Sequence, residues 1–359
     1  MKLTTKQIQT FQELRANLPL FASKCLYIKT KDAEIKPLII NDSQFYFHQR
    51  IEKHKRERGK VRVVVVKGRQ QGLSTYTEAR FFHKCAYNKG YSSFIVSEGK
   101  DSTENIFEMV KRYYNRIPEG MPKPDLLASN RKELSFDGID SIIRTGTAGN
   151  NNVGVSTTNH LLHCSEVGLW TNGSELMRGL FQTVPKSDNS EIIIESTARG
   201  TGGIFHELAL TGLDERAEWE TIFIPWYMHK EYIAPVSRDF ILTDEERELM
   251  RLYNITAEQI AWRRNKILND FKEREWLFKQ EYPFSVNEAF SSADNGLIEG
   301  RYIEKARKSR LMSESELPVI CGVDPARKGG DRTVIVLRRG REVFDIIKYD
   351  QMEQMELVS

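Results

Sequence analysis

The most constraining feature of the sequence is a run of valines that leads into a glycine-containing loop. Residues 61–66 read Val-Arg-Val-Val-Val-Val, and the next nine are Lys67-Gly68-Arg69-Gln70-Gln71-Gly72-Leu73-Ser74-Thr75. A short β-branched run predicts a strand buried on both faces, as strands of parallel sheets are. The residues from Leu73 to Asn88 predict a helix that ends before Gly90. A buried strand, a glycine loop and a helix in this order indicate an α/β fold.

Short apolar segments and helical segments continue to alternate along the chain. We predict a helix at residues 103–114 and further strands at residues 93–97, 141–145, 160–165, 191–196 and 221–225. Such alternation predicts a mostly parallel sheet with helices on both faces.

The same pattern divides the 359 residues into segments. We predict an α/β core with an N-terminal helical segment at 1–240, a charged helical lid subdomain at 241–308, a polar linker at 309–317 and the start of a second domain at 318–359. Three strands are predicted in the last segment, at 318–323, 333–337 and 343–349.

Composition excludes several classes of protein. Lys and Arg total 53 against 50 Asp and Glu, a balance that excludes a histone-like polybasic binder but permits local basic patches. No apolar run reaches the roughly 18 residues of a membrane span, so no membrane partner is expected. The four cysteines form no CxxC pair, which indicates a reducing cytoplasm rather than a disulfide scaffold or a zinc ribbon.

The glycine loop has the context of a phosphate-binding loop. Backbone N–H groups and a helix N-terminus favour bound phosphate, and Ser74 occupies the place of the hydroxyl that binds Mg²⁺. The loop departs from G-x-x-x-x-G-K-[ST], because Lys67 replaces the first glycine and Leu73 replaces the lysine. We therefore expect Arg69, or else Lys67, to balance the charge of ATP, with residues 67–75 binding the nucleotide in a P-loop NTPase-type sheet. The alternative is a plain strand–turn–helix.

A second acidic position follows the strand predicted at 160–165. Glu166 is the candidate general base for the attacking water, and Ser165, where an aspartate is usual, could hold a water bound to Mg²⁺. The alternative is a solvated strand-end glutamate. A zinc site is disfavoured because strand alternation directs His160 and Cys164 to one face and His163 to the other.

Several motifs occur in an order that resembles one family. They are Asn41-Asp42-Ser43-Gln44, the loop Gly68–Thr75, Leu162–Trp170, Glu195-Ser196-Thr197-Ala198-Arg199-Gly200, Ile224-Pro225-Trp226-Tyr227, Gln280-Glu281-Tyr282-Pro283 and Gly322-Val323-Asp324-Pro325-Ala326 with Gly329-Gly330-Asp331. Over about residues 40–340 this order resembles the large subunit of tailed-phage terminases, the DNA-packaging motor. The resemblance implies an ATPase domain followed by an RNase H-like nuclease domain.

The resemblance also implies roles for single residues. Gln44 matches the glutamine that reads adenine, the displaced basic residue of many terminases supports Arg69, and Thr197 matches the motif that couples hydrolysis to movement. Since Val155 stands where the family often has arginine, Arg144 and Arg199 remain candidates for an arginine acting on a neighbouring subunit's ATP.

The nuclease site is expected to be incomplete. Asp324 and Asp331 match the first acids that hold the two Mg²⁺ or Mn²⁺ ions of such a nuclease, and Asp345 has no clear motif. The family's remaining acids should lie well beyond the strand predicted at 343–349, past the last residue of this sequence. We therefore expect no DNA cleavage by this chain. It would then be either a deliberately shortened protein or the product of a truncated prophage gene.

Partners follow from the resemblance and from local charge. The family implies double-stranded DNA, the portal protein, the small terminase subunit and a pentameric ring on the procapsid, with a monomer in solution left open. The location would be the host bacterial cytoplasm and, transiently, the portal vertex.

Two basic clusters could contact DNA phosphates, at Arg50–Arg62 and at Arg263, Arg264 and Lys266, unless they are solvated helix faces. The competing functions are a helicase-like remodelling ATPase and a catalytically inert remnant.

Overall fold

The computed structural model describes residues 4–149, 157–291, 317–325 and 332–350. The chain divides into two compact units, Met1–Leu297 and Ile298–Ser359. The first unit begins with elements that the sequence pattern did not resolve: α1 (Thr5–Ala16), α2 (Leu18–Cys25), a hairpin of β1 (Tyr27–Lys29) and β2 (Ile35–Pro37), and α3 (Asp42–Arg58). In the part of the chain that is described, no helix is long and apolar enough to cross a bilayer.

An eight-stranded sheet forms the centre of the first unit. Its strands are β3 (Val61–Lys67), β4 (Ser92–Ser97), β5 (Leu126–Ser129), β6 (Glu133–Phe136), β7 (Ser141–Thr147), β8 (Leu161–Ser165), β9 (Glu191–Ser196) and β10 (Glu220–Ile224). They lie in the order β10-β3-β9-β8-β4-β7-β6-β5. The strands from β10 to β7 are parallel, and β6 and β5 add an antiparallel edge. The predicted mostly parallel α/β fold is confirmed.

Helices cover both faces of this sheet, and the valine run explains why. The covering helices include α4 (Leu73–Tyr87), α5 (Lys100–Asn115), α6 (Gly173–Thr183) and α7 (Gly203–Thr211). Val63 and Val65 lie in one hydrophobic core with residues of α4 and α5, whereas Val64 and Val66 lie in a second core with residues of α6 and α7. Because successive side chains of a strand point to opposite faces, a strand buried on both faces needs an unbroken apolar run.

A helical lid follows the sheet within the first unit. It comprises α8 (Asp244–Tyr253), α9 (Ala257–Asn265), α10 (Glu275–Glu281) and α11 (Val286–Phe290), with a π-helical turn at Lys266–Asp270. Capping boxes at Thr243 and Thr256 begin the first two helices. Aromatic residues hold the lid together: Tyr232 and Trp262 stack with ring centroids 4.4 Å apart, and Trp226 is fully buried beneath them. This cluster fixes the lid helices next to the end of β10.

The second unit, where it is described, is a three-stranded antiparallel sheet. Its strands are β11 (Val319–Asp324), β12 (Arg332–Arg339) and β13 (Glu342–Asp350). Asp324 ends β11 and Asp345 lies on β13, while Asp331 and the predicted linker up to residue 316 lie outside the described residues. The three predicted strands are present, and the assignment of this sheet to an RNase H-like nuclease stays a prediction.

Candidate functional site

The loop after β3 turns sharply through left-handed backbone. Gln70 and Gly72 have φ of 54° and 74°. The left-handed backbone at Gly72 favours glycine, and a Cβ added there would lie 2.7 Å from the Gln44 amide nitrogen, which would have to shift. Leu73, in the position of the usual lysine, is the first residue of α4 and is buried in the core. Lys67 and Arg69 are the cationic side chains of residues 67–75, and the choice of either as the partner of phosphate stays a prediction.

Side chains from α3 and from the loop itself hold the loop in place. Gln44 accepts a bond from the Asn41 backbone at 3.0 Å and donates its amide to the Gly72 carbonyl at 2.6 Å. Gln71 donates to the Ile224 carbonyl at 3.3 Å, which ties the loop to the end of β10. Gln44 is almost fully buried, so this structure gives its amide a structural task, and its role in reading adenine stays a prediction.

Lys67 forms an ion pair with Glu166. The Lys67 Nζ lies 2.9 Å from the Glu166 carboxylate. Lys67 is the last residue of β3 and Glu166 directly follows β8, so both lie where parallel strands of the sheet end. Burial disfavours the charge of Lys67, but the carboxylates of Glu195 and Glu166 outweigh burial and raise its pKa. A buried, fully charged lysine therefore faces the predicted general base.

Glu166 occupies a strained position that neighbouring groups fix. Its φ of 54° is unusual for a residue other than glycine. The Ser196 hydroxyl donates to Glu166 at 3.4 Å and accepts from the Gly168 N–H at 3.0 Å. A Cβ at Gly168 would lie 2.8 Å from the Thr197 carbonyl, so the turn after Glu166 packs directly on the segment after β9.

A second carboxylate, Glu195, lies close to Lys67, Ser74 and Ser165, and the sequence analysis assigned it no role. Ser74 and Ser165 both donate hydroxyl bonds to it, the second at 3.3 Å. His163 contacts it at 3.2 Å and contacts Glu78 of α4 at 2.5 Å. Burial alone would raise the pKa of Glu195, but Lys67, His163 and Ser74 lower it to about 2.

His163 is the positive centre of this buried cluster. Burial lowers the pKa of its imidazole, whereas the bonds to Glu195 and Glu78 outweigh burial and raise it to about 9. The raised pKa favours the charged imidazole at neutral pH, and His163 lies on the side of the sheet that α4 covers. The sequence suggested only that His163 faces away from His160 and Cys164.

The lid holds Arg69 at the outer end of the loop. Its guanidinium pairs with the Glu281 carboxylate, its N–H donates to the Glu281 carbonyl at 3.1 Å, and its carbonyl accepts from the Tyr232 hydroxyl at 2.7 Å. The bond to Glu281 raises the pKa of Arg69, and the Glu166 carboxylate contributes in the same direction. The Arg69 side chain is 49% exposed, whereas the Lys67 side chain is 7% exposed.

The segment after β9 also contacts the lid. Thr197 is buried, the Ala198 carbonyl accepts from the Gln280 amide at 3.0 Å, and Arg199 lies 3.2 Å from Glu281. Glu281 thus joins Arg69 of the phosphate loop to Arg199. The other candidate arginine, Arg144, lies on β7 and pairs with Glu133 at 3.5 Å. Three strands, β4, β8 and β9, lie between β7 and β3, which leads into the loop.

The first basic cluster is engaged in ion pairs only in part, whereas the second is engaged completely. In the first, Arg50 pairs with Glu220 and Lys60 with Glu218, and Arg62 is buried. All three cations of the second are paired, in the contacts Arg263–Glu275, Arg264–Glu246 and Lys266–Asp270. These pairs reduce the positive charge that the second cluster can present to DNA, and they do so to a smaller extent for the first cluster.

The structure therefore brings together most of the predicted site. Lys67, Ser74, Ser165 and Glu166 meet around Glu195 at one edge of the sheet, and Gly68, Gln70, Gln71, Gly72, Leu73 and Thr75 form the turn and the first turn of helix beside them. Arg69 and Thr197 lie at the boundary with the lid. Asp324 belongs to the second unit and Asp331 and Val155 lie outside the described residues.

Solved structures share this fold. No family model and no curated protein matches the sequence. The large terminase of bacteriophage HK97 has a TM-score of 0.53 and 12% identity, and the match covers 93% of this chain and 67% of that one. The ATPase domain of the Thermus phage P74-26 large terminase has a TM-score of 0.45 and 17% identity over 69% of this chain and 92% of that one.

A third match is the large terminase of a thermophilic bacteriophage, solved in complex with ATP-γ-S. Its TM-score is 0.44 and its identity 10%, over 89% of this chain and 72% of that one. The predicted resemblance to large terminases is confirmed in the fold, on the match to the HK97 protein. At these identities the likeness establishes architecture, and the chemistry has to be argued from the site itself.

Proposed function

We propose that this chain is the ATP-hydrolysing subunit of a motor that moves double-stranded DNA into a viral procapsid. The observation that carries the proposal is the contact of 2.9 Å between Lys67 and Glu166, which places a charged lysine against the predicted base beside a phosphate-type loop. The shared fold of the HK97 large terminase supports the choice of motor. The choice of ATP as the nucleotide follows from the order of motifs over residues 40–340, which resembles that of an ATPase.

The site supplies each part that hydrolysis requires. Loop N–H groups and the N-terminal end of the 15-residue α4 favour the phosphates of ATP. Arg69 or Lys67 balances the charge that develops on the transferred phosphoryl group. Glu166 accepts a proton from the attacking water, and a contribution of about 10²–10⁴ in rate is typical of such a base. Arriving phosphate competes with Glu166 for Lys67, which frees the carboxylate for this task.

The donor groups fit Mg²⁺. Hydroxyl and carboxylate oxygens are the ligands that this hard cation takes, and the hydroxyls of Ser74 and Ser165 meet a buried carboxylate here. Ser74 would bind the ion directly and Ser165 through a water. When bound, the ion would neutralise charge on the phosphates and orient them.

Movement would begin at the contacts between the nucleotide site and the lid. Glu281 of α10 holds both Arg69 and Arg199, and Gln280 holds the segment after Thr197. If Arg69 turns to phosphate, Glu281 loses one of its two arginine partners. The lid then has a different preferred position with ATP than with ADP, which is all that a two-state motor element needs.

Purified protein tests the ATPase. We expect Mg²⁺-dependent hydrolysis of ATP, faster in the presence of double-stranded DNA, and a rise in melting temperature with ATP and Mg²⁺, because a ligand that binds only the folded state stabilises it. A protein with no shift at millimolar ATP and no hydrolysis would contradict the proposal and favour an inert remnant. Unwinding of duplex DNA would favour a helicase-like enzyme.

The cation of the loop can be identified by substitution. We expect Arg69→Ala to weaken ATP binding by about ten- to a hundredfold, the equivalent of a charge-assisted hydrogen bond or two. Lys67→Ala should weaken binding less, because Glu166 and Glu195 already balance the lysine. Fluorescent-nucleotide titration of both variants gives the comparison.

Glu281→Gln is the matched control, since it removes the lid partner of Arg69 and leaves the arginine. Its affinity for ATP should equal or exceed that of the unmodified protein. A larger loss in Lys67→Ala than in Arg69→Ala would assign the phosphate cation to the lysine.

A further inference from the structure

We propose that Glu195 provides the carboxylate for the nucleotide-bound Mg²⁺, a role that the sequence at first assigns to Ser165. The inference rests on the proposed function and names a residue of the same site. It follows from three observations: the place of Glu195 in the sheet, the contacts of its two oxygens and the side chains that hold it in position.

The strand order places Glu195 closer to the phosphate loop than Ser165. β9 lies between β3, which leads into the loop, and β8, which ends at Ser165. In this sheet Glu195 is in register with Val65 on one side and with Ser165 on the other. Side chains in register share a face, so Glu195 points to the face on which α4 and Ser74 lie. A carboxylate one strand nearer can occupy the space of the absent aspartate.

The two oxygens of Glu195 are used unequally. Oε1 accepts from Ser74 and Ser165 and contacts His163. Oε2 is buried and has no hydrogen-bond partner within the described part of the chain. Leaving a buried carboxylate oxygen without a hydrogen-bond partner is unfavourable, because its interaction with water is lost and not replaced. An oxygen held this way beside the Ser74 hydroxyl is suited to a cation or to water on that cation.

The surroundings hold Glu195 in place. Ser74, Ser165 and His163 all contact its Oε1, and His163 is held from behind by Glu78 at 2.5 Å. His163 is thus a positioning residue, comparable to the outer partners that orient metal ligands in proteins. A carboxylate that is anchored through one oxygen and lacks a partner on the other is suited to bind a metal ion.

The experiment compares nucleotide affinity with and without Mg²⁺, so it does not depend on turnover. The gain in ADP affinity on adding Mg²⁺ is measured by titration for the unmodified chain and for Glu195→Gln. We expect Glu195→Gln to bind metal-free ADP within about threefold of the unmodified chain, but to lose tenfold or more of the Mg²⁺-dependent gain. A full gain in the folded variant overturns the proposal.

A carboxylate moved to the neighbouring strand provides the positive test. The double variant Ser165→Asp with Glu195→Gln should recover the Mg²⁺-dependent gain, because the two positions are adjacent in register. Glu98→Gln is the matched control: Glu98 also follows a central parallel strand, β4, and should leave the gain unchanged. No recovery in a folded double variant counts against the proposal.

If Glu195→Gln does not fold, as judged by circular dichroism, Glu195→Asp replaces it. This side chain keeps the charge near Lys67 and His163 but is one methylene shorter. A reduced Mg²⁺-dependent gain supports the proposal, and an unchanged gain overturns it. Failure of the proposed function looks different, because the unmodified chain would then bind neither ADP nor ATP in either condition.

Discussion

Glu166→Gln is expected to lower the rate of ATP hydrolysis by about 10²–10⁴-fold while the protein still folds and binds ATP. Glutamine keeps the size of the side chain and a hydrogen-bond acceptor for the Ser196 hydroxyl, but it cannot take the proton of the attacking water. Phosphate release, measured with saturating ATP and Mg²⁺, gives the rate, and a nucleotide titration gives the affinity. Affinity should stay the same or improve, because Lys67 loses a competing carboxylate.

The control for Glu166 is Glu98→Gln. Glu98 follows β4, the strand next to β8, and its carboxylate accepts from the Ser97 hydroxyl at 2.5 Å rather than from the loop lysine. We expect this variant to hydrolyse ATP within about twofold of the unmodified rate. Near-normal hydrolysis by Glu166→Gln would mean that another group takes the proton, and Glu195 would then be the first to test.

Arg80→Met is expected to lower the free energy of unfolding by about 3–5 kcal/mol. Arg80 of α4 and Glu191 at the start of β9 are both buried, and the guanidinium makes two bonds to the carboxylate, at 2.7 and 2.8 Å. Burial would raise the pKa of Glu191, but Arg80 and Lys84 hold it far below the usual range. Without Arg80, only Lys84 still pairs with this buried charge among the described residues. Chemical denaturation of both proteins measures the loss.

A double variant separates the cost of an orphaned charge from the worth of the pair. Arg80→Met with Glu191→Leu replaces the two most buried ions by apolar groups, a change that is often neutral or stabilising for buried pairs. Their other partners, Lys84 and Glu52, remain charged, with side chains that are 13% and 32% exposed. We expect the double variant to be more stable than Arg80→Met alone. A single-variant loss below about 1 kcal/mol would show that water reaches Glu191 and that the pair contributes little.

Local patterns predicted the parallel part of the fold well and its additions poorly. The unbroken valine run predicted β3, and similar runs predicted β4, β7, β8, β9 and β10 to within two residues of their bounds. The antiparallel strands β5 and β6 and the N-terminal hairpin were missed. β1 and β2 have three residues each and β5 and β6 have four, too few to show a period, and contacts with neighbouring elements decide their structure.

The order of residues alone determined the phosphate-type loop, the glycine at position 72 and the acid after β8, because these depend on backbone conformation and on neighbours in the chain. Only the folded sheet decided which of these groups meet. β9 comes far later in the chain than β3, yet it lies between β3 and β8, and so Glu195 reaches Ser74 and Lys67. The packing of the lid likewise decided that Glu281 holds Arg69 while Lys67 faces Glu166. Strand order and lid packing arise from long-range burial of apolar surface, which no local pattern encodes.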